Sequence, residues 1–183
     1  MSFKIEGQNV FLRILRKSDT SSLIRITNDN DTLKFMSLHC PFALKHARAL
    51  VSNAQKGLKN NSSYDFGIFL KNNKLLVGVI RLMNINKINK NCEVGFWIGK
   101  EYQNNGYSKE ALKLVLNFGF KRLILFRISA KIMHLNTTSV NLVEKFGFKQ
   151  EGRMRNAILK NGKWIDGLIY GLLRDEYKRE VTA

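Results

Sequence analysis

Apolar residues recur along this chain at two spacings, and the switch between them predicts the order of elements. Residues 10–15, Val10-Phe11-Leu12-Arg13-Ile14-Leu15, read as a first strand with Gly7 before it. Ser18 or Asp19 can cap a helix to about Asn28, with Leu23, Ile24 and Ile26 on its apolar side; Asp29-Asn30-Asp31 ends it. Residues 35–42 are apolar but carry the chain's one proline, Pro41. A proline pushes the residue before it toward extended backbone, so this stretch reads as a loop. Leu44, Ala47, Leu50, Val51 and Ala54 lie at helical spacing within 43–58. Residues 59–63 are a polar loop.

Tyr64-Asp65-Phe66-Gly67-Ile68-Phe69-Leu70 alternates as a strand. Asn72-Asn73 reads as a tight turn, since Asn tolerates left-handed backbone, and residues 75–83 return as the partner strand. A polar connection over 84–91 leads to a strand at 92–98, giving an antiparallel meander of three strands. Then come a helical pattern over 107–122, a strand at 126–133 and a short helix at 137–146 ended by Gly147. Two last strands, 148–159 and 164–173, are joined by Asn161-Gly162, a strong hairpin signal. No internal repeat or linker interrupts the chain. The pattern predicts one α+β domain over 1–183, built on a mixed, mostly antiparallel sheet. The strand-helix-strand unit over 92–133 should set two parallel strands side by side with a right-handed crossover.

Composition narrows the class. The chain of 183 residues has room for a substantial core. No apolar run reaches the roughly 18 residues of a membrane span, and the N-terminus has no signal-peptide core. The two cysteines, Cys40 and Cys92, form no C-x-x-C pair and are read as free thiols of a cytoplasmic protein. The three histidines have no metal-ligand spacing, so no metal is expected. Lys and Arg number 31 against 14 acidic residues, a net charge of +17. That excess has three readings: nucleic-acid or ribosome contact, attraction of an anionic cofactor, or a Lys-rich composition with no partner.

The densest chemistry lies over 92–122. A strand, a polar loop and a helix follow one another, the grammar of a phosphate site. The helix start offers free N–H groups and the positive end of its dipole. Gly106 stands where backbone must approach a ligand closely, and Lys109 adds charge one turn in. Neither G-x-x-x-x-G-K-[ST] nor G-x-G-x-x-G is present here. The loop reads Gln103-Asn104-Asn105-Gly106-Tyr107-Ser108. A plain strand-to-helix turn would share the same local physics.

A second stretch, Asn136-Thr137-Thr138-Ser139-Val140-Asn141-Leu142-Val143-Glu144-Lys145-Phe146-Gly147-Phe148, has a helix cap in Asn136 and a C-cap in Gly147. Capping alone does not account for its spacing from the first loop. Gln103-x-x-Gly106-x-Ser108 followed by N-x-x-S-x-x-x-x-E-K-x-G-F resembles the two cofactor-binding segments of the GNAT superfamily of acetyl-CoA-dependent N-acetyltransferases. Ser108 departs from the usual Gly or Ala but is small. The tail, Glu151-Gly152-x-x-Arg155 with Asn161-Gly162-Lys163-Trp164-Ile165-Asp166 and Tyr170-Gly171-Leu172, resembles the RimJ/RimL-type branch. Val10-Phe11-Leu12-Arg13 and Ser37-Leu38-x-x-Pro41 are similar too, so the likeness spans nearly the whole chain.

The resemblance implies a GNAT-like fold with the sheet splayed at its parallel pair, and acetyl-CoA as co-substrate. Backbone at Phe96, Trp97 and Ile98 would pair with the pantetheine, as an extended ligand adds to a sheet edge. Residues 103–109 (Gln103, Asn104, Asn105, Gly106, Tyr107, Ser108, Lys109) would hold the pyrophosphate, and Asn136 the pantetheine arm near the sulfur. The acceptor is a primary amine, which must be neutral to attack, so a base is needed. Glu93 and Glu101 are the candidates. Glu93 shares a strand face with Gly95 and Trp97, while a salt bridge or solvation would explain either acid without catalysis. The tyrosine acid of many GNAT enzymes falls at Val143 here. Ser139 is the replacement, either as proton donor to the thiolate or as a hydrogen-bond partner of the sulfur. The implied acceptor is a protein N-terminus of the ribosomal-protein type. The alternatives are a small amine (polyamine, amino acid or antibiotic) and a non-catalytic RNA- or ribosome-binding module. A monomer or homodimer away from membranes is expected.

Overall fold

The computed structural model describes residues 3–36 and 41–181. Ser37, Leu38 and Cys40, with the centre of the 35–42 loop, lie outside the described residues.

One eight-stranded sheet organises the chain. Its strands are β1 (Lys4–Glu6), β2 (Val10–Ile14), β3 (Tyr64–Leu70), β4 (Leu76–Asn86), β5 (Asn91–Ile98), β6 (Arg127–Met133), β7 (Lys149–Lys160) and β8 (Lys163–Leu173), in the spatial order β1-β2-β3-β4-β5-β6-β8-β7. Every pair is antiparallel except β5 with β6. The expected α+β sheet with one parallel pair is therefore what forms. The final hairpin enters in reverse, with β8 rather than β7 against β6.

Helices cover both faces. α1 (Thr20–Thr27) and α3 (Leu44–Asn60) pack on β3 and β4, with the short α2 (Asn30–Leu33) between them in sequence. α4 (Tyr107–Asn117) lies on β2, β4 and β5, and its last turn widens into a π-turn over Phe118–Arg122. α5 (Thr137–Glu144) sits beside β6, and α6 (Arg174–Val181) closes the chain. β3 is buried at all seven positions, because it is central and covered on both faces, so its alternation does not divide core from solvent. Phe66, Tyr64, Phe3 and Phe118 form an aromatic cluster under α4, with the Phe66 and Phe118 rings 5.6 Å apart.

Local differences have local causes. Asp29 does not end a helix; its carboxylate accepts from Asp31 N and Thr32 N and starts α2. In the β3–β4 turn the left-handed residue is Lys74 (φ 60°) rather than Asn72 or Asn73. Asn161 and Gly162 take φ 50° and 74°, the signs that a tight hairpin of this hand needs. β1 and α6 escape the sequence pattern, since a three-residue edge strand and a strongly charged helix carry little apolar periodicity.

The tail motif has a structural job. Glu151 pairs with Arg127 on β6, and Arg153 Nε donates to Asp166 Oδ2 at 2.6 Å across the hairpin. Asp166 also accepts from Asn156 N at 2.8 Å. These bonds lie beside the two register shifts of β7 and pin them. Tyr170, 1% exposed, sets its hydroxyl 2.9 Å from Glu144 Oε1. Arg13 of the first strand grips Asp19 through both carboxylate oxygens, at 2.8 and 2.7 Å.

Candidate active site

β5 and β6 pair over only three positions, Asn91↔Arg127, Cys92↔Ile128 and Glu93↔Ser129. Beyond them β5 stays with β4 out to Ile98, while β6 stays with β8 out to Met133. Each strand follows its own antiparallel neighbour, so the sheet opens into a wedge. Gly99 N donates to Val77 O at 2.9 Å, and antiparallel bonds recur at every second residue. By that alternation Gly95 and Trp97 turn their backbone toward β4, and Phe96 and Ile98 turn theirs toward the wedge. The Ile98 carbonyl already accepts from Gln103 Nε2 at 3.1 Å. Phe96 N–H and C=O therefore face the opening. Trp97 is anchored differently, its indole Nε1 donating to Thr27 Oγ1 at 3.3 Å.

The loop after β5 is shaped by its own side chains. Asn105 Nδ2 donates to Gln103 O at 2.9 Å, and Asn104 is left-handed at φ 63°. Gly106, at φ 78°, is the N-cap of α4 and gives the helix no side-chain cap. The first N–H groups of α4, from Tyr107, Ser108 and Lys109, are thus left to another acceptor. A Cβ on Gly106 would meet nothing within 4 Å, so the approach is open. Beside it lies a cavity of about 580 Å³ lined by Lys109, Lys113 and Lys145. Glu110 also lines it, but its carboxylate accepts from Asn9 N and Val10 N at 2.9 and 3.2 Å. Burial works against ionisation of Glu110, yet these donors outweigh it and hold the acid below its ordinary value. The loop and this cavity form a cationic, amide-rich cradle suited to a diphosphate.

On the α1–α3 face, a larger cavity of about 720 Å³ runs from the wedge to α3. Residues 93–97 supply its β5 wall, Glu93 among them, and Asn136 and Ser139 close the β6 side. Asn136 caps α5 by accepting from Ser139 N at 3.2 Å, which leaves its amide nitrogen able to donate. Val143 is fully buried. Glu101 lies elsewhere: it is not on the cavity wall and stands exposed, 3.5 Å from Arg25. Cys92, at the closed end of the wedge, is 3% exposed, and burial pushes its thiol up to about 12.

Arg81, His46, Asn53, Lys131 and Lys160 also line the larger cavity, and no local pattern marks them, because four separate elements deliver them. Arg81 pairs through Nε with fully buried Asp65. Lys160, 8% exposed, donates to Met36 O at 2.7 Å, and burial lowers its pKa. Lys145, by contrast, lies inside the Asn136–Phe148 stretch and was open to reading as a cation near the loop. No helix among the described residues is long and apolar enough to cross a membrane.

Comparison with known proteins bears on the family and the fold. An acetyltransferase (GNAT) domain model matches residues 9–149. The uncharacterized N-acetyltransferase YokL of Bacillus subtilis, derived from prophage SPbeta, is 29% identical over 175 residues, 94% of each chain. The Escherichia coli [ribosomal protein uS5]-alanine N-acetyltransferase is 28% identical over 120 residues, 65% of this chain and 62% of that one. A spermidine N-acetyltransferase from Vibrio cholerae, solved with CoA and spermine, has the same fold with a TM-score of 0.83 at 23% identity, covering 94% of this chain and 99% of its own.

Proposed function

Because the chain belongs to the acetyltransferase (GNAT) family, we propose that it moves an acetyl group from acetyl-CoA to the α-amine of a protein N-terminus. One observation carries the reading: a single cavity joins the open wedge to Glu93, Asn136 and Ser139, and the loop that continues β5 out of the wedge leads to the uncapped α4 start. The diphosphate of CoA sits on the N–H groups of 106–109, with Lys109, Lys113 and Lys145 around it. The pantetheine arm runs into the wedge, where the Phe96 C=O accepts from it as a neighbouring strand's would. The Asn136 amide nitrogen donates to the arm near its thioester end.

Glu93, on the cavity side of β5, takes the proton from the attacking amine, directly or through one water. The nitrogen–carbon bond forms as the carbonyl π pair moves onto oxygen, and the return of that pair then breaks the carbon–sulfur bond. The Phe96 N–H steadies the developing oxyanion. Ser139 hydrogen-bonds the departing sulfur, which takes up one proton to leave as CoA thiol. Glu101 is the weaker candidate for the base, since it faces solvent beside Arg25. An α-amine, with a pKa near 8, gives up its proton more readily than a lysine near 10.4. The relative that acetylates the alanine of ribosomal protein uS5 supports the protein N-terminus as acceptor. The small-amine reading has the spermidine enzyme's fold in its favour, but that likeness reaches the fold alone.

The test is acetyl transfer to short peptides with free or blocked N-termini, followed by mass spectrometry to locate the acetyl group. Acetylation confined to free α-amines upholds the proposal. Acetylation mainly on internal lysines, or only of polyamines, overturns it.

A further inference from the structure

The larger cavity carries an uneven set of charges. Glu93 is the one carboxylate on its wall among the described residues, while Arg81, Lys131 and Lys160 bring cationic nitrogens. Register fixes how Arg81 and Glu93 stand. Glu93 is opposite Met83 and Arg81 is opposite Gly95, so Arg81 and Glu93 are diagonal neighbours on one sheet face. Such neighbours lie roughly 7–8 Å apart. The position between them belongs to a glycine, where a Cβ would touch only the Met83 methyl. Across that glycine only the flexible Met83 thioether stands between the acid and the guanidinium, and all three side chains line the cavity.

Arg81 is suited to an anion. Its Nε edge is held by Asp65, which is fully buried, and about a quarter (26%) of its side chain stays exposed toward the cavity. A guanidinium has five N–H donors in a rigid fork, so the terminal donors remain after one edge is used. Lys131 makes no ion pair among the described residues.

We infer that the acceptor carries a carboxylate a few bonds from its amine, the amine lying at Glu93 and the carboxylate at Arg81. For a protein N-terminus this means an acidic residue in the first or second position. The inference rests on the proposed reaction and names its substrate class. It also sets this cavity against polyamines, whose second ammonium would meet Arg81 and Lys131.

The experiment uses the full chain with saturating acetyl-CoA and a free-thiol readout. The acceptors are peptides beginning Ser-Glu, Ser-Gln and Ser-Lys, otherwise identical, with free glutamate and spermidine. The expected order in kcat/KM is Ser-Glu over Ser-Gln by about tenfold or more, with Ser-Lys and spermidine lowest. Lys131→Gln should reduce the Glu-to-Gln ratio, and the charge-neutral pair Asp65→Asn with Arg81→Gln should bring it near one. That pair leaves no unpaired buried carboxylate; if it fails to fold, the wild-type ratio and Lys131→Gln still decide. Equal rates on the three peptides overturn this inference and leave the α-amine reading standing. Acetylation of free glutamate alone upholds the carboxylate and overturns the peptide. Preference for spermidine, or no transfer to any acceptor, overturns both.

Discussion

Replacing Gly106 by valine separates a ligand cradle from an ordinary turn. Gly106 has φ 78° and ψ −1°, a left-handed conformation, and a Cβ there meets no atom within 4 Å. The variant gains no clash with its own protein, so the loss of stability is backbone strain alone. For an L-residue that is about 1–2 kcal/mol, and valine lies at the upper end because it is β-branched. Gly162, in the β7–β8 hairpin, supplies a matched control: φ 74° and equally open space around its Cβ. Gly162→Val should therefore cost the same stability. Only Gly106 borders the free α4 amides. Losing one hydrogen bond to a charged phosphate costs about 1.5–3 kcal/mol, or roughly tenfold to a hundredfold in affinity. The expected result is an acetyl-CoA Kd weakened by that factor in Gly106→Val and unchanged within about twofold in Gly162→Val, at equal stability loss. Urea unfolding measures the first quantity and titration calorimetry on folded protein the second. Wild-type affinity in both variants, or equal weakening in both, refutes the cradle.

Acetyl-CoA at a hundredfold excess over Kd should stabilise the fold by about 2.7 kcal/mol, a rise in Tm of roughly 5–10 °C for a chain of this size; no shift at millimolar ligand removes the cofactor site. Glu93→Gln should lower kcat/KM by roughly a hundredfold or more, with partial recovery at high pH where more amine is already neutral, whereas Glu101→Gln should stay within about threefold; a reversed order moves the base to Glu101. Ser139→Ala should cost less than Glu93→Gln, and its loss should persist at high pH; wild-type rates across the pH range would remove Ser139 from the chemistry. Burial pushes Tyr177 up to about 12. A raised pKa contributes stability that is complete below about pH 10 and lost as pH climbs toward 12, so Tyr177→Phe should flatten alkaline unfolding there. An unchanged pH profile for that variant would sink the assignment.

Much of this protein was legible in its residues. Apolar spacing marked the meander of β3, β4 and β5, the long α4 and the Asn161-Gly162 hairpin, because these depend on neighbours a few positions apart. Gly106 and Asn136 declared themselves through backbone geometry, a left-handed turn and a helix cap, which the same residue types require anywhere. The alternation of β5 put Glu93, Gly95 and Trp97 on one face before that face had a partner. What the face looks onto was decided elsewhere. β8 rather than β7 joins β6 and draws it from β5, and the divergence opens the wedge at Phe96. Glu93 then lines the same cavity as Asn136 and Ser139, while Glu101, the other candidate base in the sequence, turns to Arg25 and solvent. Arg81 enters that cavity only because β4 pairs with β5 in one register and because Asp65, buried on β3, neutralises part of its charge. Such juxtapositions come from strand order and register, which depend on contacts between distant segments. Periodicity within a segment carries information about its own neighbours and none about those contacts.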